Sequence, residues 1–201
     1  MNNIFKNKRG LGFIEMIAAL GVIVTGVIAG LTLTTFNLTS SNISESKLLA
    51  ANLAREAIEV IRNKRDSNWL TTINDWNQGI LIAPTVNYRL IVSFNEVTNT
   101  WVFDDGLFDI EDCLNCQIYF DPDSGIYTHN VGDNILTNFK RIVALREICW
   151  QAPIKTESIQ PYGDHCPGDT LAGYYLEAQV TWTESNIPYD LTIVDKIYDW
   201  K

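Results

Sequence analysis

From Met16 to Ser44 the chain carries no charged residue, and this constrains it more than any other feature. Leu11 to Leu31 alone gives 21 predominantly apolar residues, close to the ~20 that cross a bilayer as a helix. Glu15 stands near the head of that run. A carboxylate inside an apolar helix costs roughly 2.5–3.5 kcal/mol at the helix centre and less towards its end, so something is expected to compensate it. Lys6, Lys8 and Arg9 precede the run, which predicts a cytoplasmic N-terminal segment and translocation of everything after the helix. A secretory signal would close on small residues after the apolar stretch, whereas here Thr32-Leu33-Thr34-Thr35-Phe36-Asn37 follows, with no Ala-x-Ala.

Gly10 ends the basic segment. A cut after it would place a new amine on Leu11, one helical turn from Glu15, where its positive charge balances the carboxylate. This arrangement of a short basic leader ending in Gly and an apolar helix with Glu at its fifth position resembles the prepilin leader of type IV pilins and pseudopilins. A cut after Gly12 would put Glu15 at position three, outside the family pattern. The chain departs from the commonest form in starting the mature protein with Leu11 and placing Gly12 second. The helix-kinking proline usual in the family would fall at Thr32, and its absence is compatible with a minor or initiating role. The stretch Ala54 to Leu70 is also similar to one seen in minor, prepilin-like proteins.

The resemblance implies a minor pilin or pseudopilin. Prepilin peptidase would cut Gly10–Leu11, with methylation of the Leu11 amine. Glu15 would pair with the N-terminal amine of a neighbouring subunit. Partners would be other pilin subunits, met through the N-terminal helix, and the membrane assembly machinery. The protein would wait in the cytoplasmic membrane as a single-pass chain with its C-terminal domain outside, then enter an extracellular pilus or periplasmic pseudopilus. The rival expectation is a membrane-anchored extracellular binding domain that never assembles, which leaves Gly10 with Glu15 unexplained.

Helical signals continue past the apolar run. Leu49, Leu53, Ala57 and Val60, flanked by Ala50, Ala54, Ile58 and Ile61, form a broad stripe at helical spacing. Arg62, Lys64 and Arg65 suit a helix C-terminus, and Asp66-Ser67-Asn68 is expected to break the pattern. A helix from Leu11 to about Arg65 would be roughly 80 Å long at 1.5 Å per residue. Gly26 and Gly30, four apart, fit either close helix–helix approach or glycines facing lipid. Beyond Leu70 the period becomes alternating. Strands are expected at Tyr88–Phe94, Thr100–Asp104, Gln117–Phe120, Ile126–Thr128, Phe139–Cys149, Tyr174–Thr183 and Tyr189–Trp200, with turns at Asn95–Asn99, Asp121–Gly125 and Glu184–Pro188. One long helix followed by runs of strands predicts an α+β chain, a pilin-like helix packed on an antiparallel sheet. The expected divisions are a leader at 1–10, a transmembrane or filament-core helix at 11–31, its amphipathic continuation at 32–66 and a β-rich domain at 67–201.

Residues 67–201 hold 19 Asp and Glu against 7 Lys and Arg, a net of −12. That balance argues against nucleic-acid binding, which needs a basic footprint, and suits an exposed, soluble domain. In an exported domain the four cysteines are expected as disulfides, Cys149–Cys166 and Cys113–Cys116. Zinc would need His129 or His165 brought in by the fold, and Cys149 and Cys166 lack the short pair spacing of structural sites. A redox Cys-x-x-Cys is disfavoured by Asp109, Glu111 and Asp112 around it. Asp121 and Asp123 have the first spacings of a calcium loop but no bidentate Glu follows at the right distance, so a plain turn is expected. The sequence carries no Gly-x-Ser-x-Gly, phosphate loop or dinucleotide fingerprint, and neither an enzyme nor a cofactor is expected.

Overall fold

The computed structural model describes residues 12–71, 75–80, 89–95, 98–105, 109–151, 155–168 and 170–199. One helix, α1 (Phe13–Leu70), precedes eight strands: β1 (Arg89–Asn95), β2 (Thr100–Asp105), β3 (Gln117–Phe120), β4 (Tyr127–Thr128), β5 (Ile135–Gln151), β6 (Thr156–Ile159), β7 (Leu171–Glu184) and β8 (Ile187–Tyr198). Every strand pairing is antiparallel, so the chain is α+β. It divides into two compact units, residues 1–45 and 46–201.

In the second unit β5 is the central strand. Its 17 residues pair along one edge with β7, which in turn pairs with β8. The other edge of β5 is shared in turn by β3, β1 and β6. The core forms where the helical stripe meets one sheet face. Ala50, Leu53, Ala54, Ala57, Ile58 and Ile61 pack with Leu90 and Val92 of β1, Phe139, Val143 and Leu145 of β5, and Tyr174, Leu176, Ala178 and Val180 of β7. Strand side chains alternate between faces, so Lys140, Ile142, Ala144 and Arg146 lie on the face away from the helix. There Ile142 joins Ile91, Ile110, Cys113 and Cys116 in a second small apolar cluster.

The helix runs past the expected break at Asp66-Ser67-Asn68 and ends at Leu70, with no basic residue in its last turn. Tertiary partners overcome the poor local propensity. Asn68 is buried, and its amide donates to the carbonyls of Trp76 (3.0 Å) and Gln78 (2.8 Å). Arg65 bonds to Asp66 and lies 4.6 Å from the Trp69 ring centroid.

The β7–β8 hairpin turns on two residues, Ser185 and Asn186, with φ of 51° and 65°. Both in the left-handed region give the turn whose twist suits a hairpin. The expected five-residue connection is therefore too long. Pro188 belongs to β8, which among the described residues pairs only with β7, so a missing N–H can be tolerated on its outer edge. β6 was not expected. It folds back on the end of β5 from Ile148↔Ile159 to Gln151↔Thr156.

Candidate functional site

The residues singled out by the sequence fall in separate places. Glu15 lies in the first turn of α1, where a carboxylate suits the positive end of the helix dipole. Gly10 and Leu11 lie outside the described residues. Every large apolar side chain from Phe13 to Leu38 is exposed, and this is a helix long and apolar enough to cross a membrane. Its hydroxyls fold back on the helix itself: Thr32 donates to Ile28 O (2.9 Å), Thr34 to Gly30 O (2.9 Å), Thr35 to Leu31 O (2.8 Å) and Thr39 to Thr35 O (3.1 Å). In an apolar medium that removes the cost of unsatisfied donors. Within 4 Å nothing occupies the space a Cβ would take at Gly21, Gly26 or Gly30, so no contact made by the chain itself requires those glycines.

All four cysteines are bonded as expected, Cys113 to Cys116 and Cys149 to Cys166. That removes them as zinc ligands or free thiols. The first bridge closes a 3-10 turn at Leu114–Cys116, with both sulfur-bearing residues buried under the outer sheet face. The second ties the end of β5 to the loop before β7. Glu147 reinforces it, accepting from the backbone N–H of Cys166 (2.6 Å) and contacting His165 Nδ1 (3.1 Å).

Asp121 and Asp123 occupy a closed turn. One Asp121 carboxylate oxygen accepts the Asp123 N–H (2.8 Å), the other accepts the Ser124 hydroxyl, and its carbonyl accepts the Gly125 N–H (2.9 Å). The Ser124 bond, with help from the Asp123 N–H, lowers the Asp121 pKa. Both oxygens are engaged in the turn, as expected of a plain turn, and Asp109 pairs with Arg89. Among the described residues no cluster of three or more His, Cys, Asp or Glu is suited to a metal.

Sequence reasoning missed a buried polar centre beneath the helix. Arg141 is 1% exposed, in β5 on the helix-facing side. Its guanidinium donates to Leu53 O (3.0 Å), Val92 O (2.6 Å) and Glu56 Oε2 (2.7 Å), joining helix, β1 and β5 at one point. Burial lowers its pKa, and Glu56 opposes that shift. Nearby, His129 Nδ1 faces the Gln117 carbonyl at 3.0 Å, so that nitrogen carries the proton in the neutral ring. Burial, then the charge of Arg141, pushes the His129 pKa down to about 3. The only sequence signal for this centre was a basic residue at an inward position of an alternating strand. Such a group ties helix and sheet together.

Comparison with family models, with curated proteins and with solved structures finds no match.

Proposed function

We propose that the chain is a minor pilin or pseudopilin subunit, anchored by its N-terminal helix and built into a filament after removal of a leader. The observation that carries this reading is one pattern: Lys6-Asn7-Lys8-Arg9-Gly10, then Leu11, then Glu15 at the head of a charge-free helix. The apolar helix supports it, since its large apolar side chains from Phe13 to Leu38 are all exposed and need lipid or other helices. Prepilin peptidase would cut between Gly10 and Leu11 on the cytoplasmic side. The single-pass product would hold its disulfide-bonded sheet domain outside the cytoplasm, where disulfides persist. On assembly the helix leaves lipid and packs against equivalent helices. The Leu11 amine of a neighbouring subunit then neutralises Glu15. A buried pair of this kind fixes register more than it adds net stability.

Mass spectrometry of the chain from membranes and from sheared surface material, in a host with an active prepilin peptidase, tests both steps. The expected product begins at Leu11, with or without a methyl group, and appears in the sheared fraction. Glu15→Leu should insert and fold normally but fall about tenfold or more in the sheared fraction, the scale of losing one compensated charge. A chain that still carries Lys6 to Gly10 would leave a membrane-anchored domain that does not assemble, and equal incorporation of Glu15→Leu would overturn the pairing of Glu15 with a neighbour's amine.

A further inference from the structure

The sheet face turned away from the helix carries a groove that the pilin reading does not use. Its floor comes from three adjacent strands in fixed register. Lys140, Thr181 and Asp190 lie side by side across β5, β7 and β8, and Ile142, Gln179 and Thr192 form the next row. A cavity of about 720 Å³ stands over these rows, and a smaller one of about 140 Å³ continues it, sharing Ile110 and Gln179. The larger volume is that of ordinary small-ligand sites. The loop leading into the Cys113–Cys116 bridge forms one wall, fastened where Lys140 Nζ donates to Glu111 O (2.9 Å). Tyr162, from the loop closed by Cys149–Cys166, borders the far end and is 45% exposed. Arg146 lies 5.1 Å from its ring centroid. At the near end Pro188 and Asp190 border it, while the Tyr189 ring between them turns to the helix-facing side and stacks on Trp182 at 5.5 Å.

The unused hydrogen-bonding groups identify the ligand chemistry. Side chains of Gln179, Thr181, Thr192, Glu111 and Asp190 make no hydrogen bond or ion pair among the described residues. Together they offer amide donors, hydroxyls that both give and accept, and carboxylates that only accept. That inventory matches a ligand dense in hydroxyl groups, each of which also gives and accepts. The half-exposed Tyr162 ring at one end offers an electron-rich face to weakly positive C–H surfaces. The groove sets two carboxylates, Glu111 and Asp190, against one ammonium, Lys140, whose hydrogens go to the Ile110 and Glu111 carbonyls, and so carries a net negative charge. Anionic ligands are therefore repelled. A peptide strand is a poorer match, because the floor is a sheet face of side chains and offers no ladder of backbone groups.

We infer that this groove binds a neutral oligosaccharide, with Gln179, Thr181, Asp190 and Thr192 holding its hydroxyls. The site is built by the sheet and both disulfide loops, so it stands or falls apart from leader processing and assembly. The test uses the full chain in a detergent without a sugar headgroup, labelled and applied to a printed array. The array carries neutral hexose, N-acetylhexosamine and fucose oligosaccharides beside their sialylated and sulfated counterparts, with lysine-rich peptides as a further set. Binding confined to neutral glycans is expected. Gln179→Leu and Asp190→Ala should each weaken it about tenfold or more, the scale of one or two lost hydrogen bonds, with unchanged thermal melting. Val194→Ala, on the same face but outside the groove, should bind as the parent does. If either variant fails to fold, Thr192→Val, which keeps the side-chain shape, replaces it. No neutral glycan bound, binding only to anionic glycans or to the peptides, or undiminished binding by the folded variants would each overturn the inference.

Discussion

Arg141 and His129 show how one buried cation sets the chemistry around it. Arg141 is held by two carbonyls and Glu56, so its charge is compensated locally. His129, close enough to feel that charge and itself desolvated, stays neutral down to about pH 3. An unfolded histidine titrates near 6.5. The unfolded chain therefore takes up this proton first as pH falls, and stability is lost from about pH 6.5 downwards until the folded state also protonates. Between pH 7.5 and 5.5 the loss from this group should be about 1 kcal/mol. Urea unfolding of the parent and of His129→Gln at the two pH values measures it. The variant, which cannot titrate there, should lose about 1 kcal/mol less, and an equal loss would mean His129 is not desolvated. Neither residue was legible in the sequence as part of a core. Arg141 shares one face of its strand with Phe139, Val143 and Leu145, but both faces of β5 carry apolar residues, and only the packing of the helix decides that Arg141 is buried and Arg146 is not.

At the scale of elements, the parts read correctly from sequence were those whose pattern repeats. The helical stripe after Leu49 and the alternation in β1, β3, β7 and β8 carry their own period, and the hairpins follow from turn residues between them. What was missed depends on partners distant in sequence. Asn68 keeps α1 helical only because the carbonyls of Trp76 and Gln78 receive its amide. β6 is four residues, Thr156–Ile159, too short for a period and formed only against the end of β5. The groove needs three strands in register and two loops at once, so no local pattern announces it. Gly173 is the clearest case of a requirement invisible in sequence. A Cβ there would sit 2.2 Å from the Ile197 carbonyl oxygen, beside the register shift between Ile148 and Cys149. The obstacle is backbone, so the β7–β8 pairing must give way. Gly173→Ala should destabilise the sheet by about 3 kcal/mol, the upper end of overpacking costs. Gly26→Ala, with nothing within 4 Å of the added Cβ, should leave the urea midpoint unchanged.

For the whole molecule, apolar surface and charge are divided between two units. Residues 12–42 are exposed throughout, whereas among the described residues every buried apolar one lies at Ala50 or beyond, in the unit that starts at Ser46. The helix from Ala50 to Asn68 already presents the whole buried stripe to the sheet. The acidic excess of residues 67–201 keeps that unit soluble once the apolar segment is gone. Residues 46–201 produced in an oxidising compartment should therefore be soluble without detergent and melt in one cooperative step. Reduction should then expose the contribution of the bridges, because Cys149–Cys166 joins residues 17 apart in sequence. Closing a loop of that size contributes about 3 kcal/mol in the chain-entropy model. For a domain of this size that corresponds to a fall in Tm of about 10 °C. Calorimetry with and without a reducing agent measures both effects. A fragment that aggregates or melts without cooperativity in its oxidised form would mean that the sheet unit depends on residues 1–45. An unchanged Tm on full reduction would mean that packing of the two loops, rather than their covalent closure, holds the outer sheet face in place.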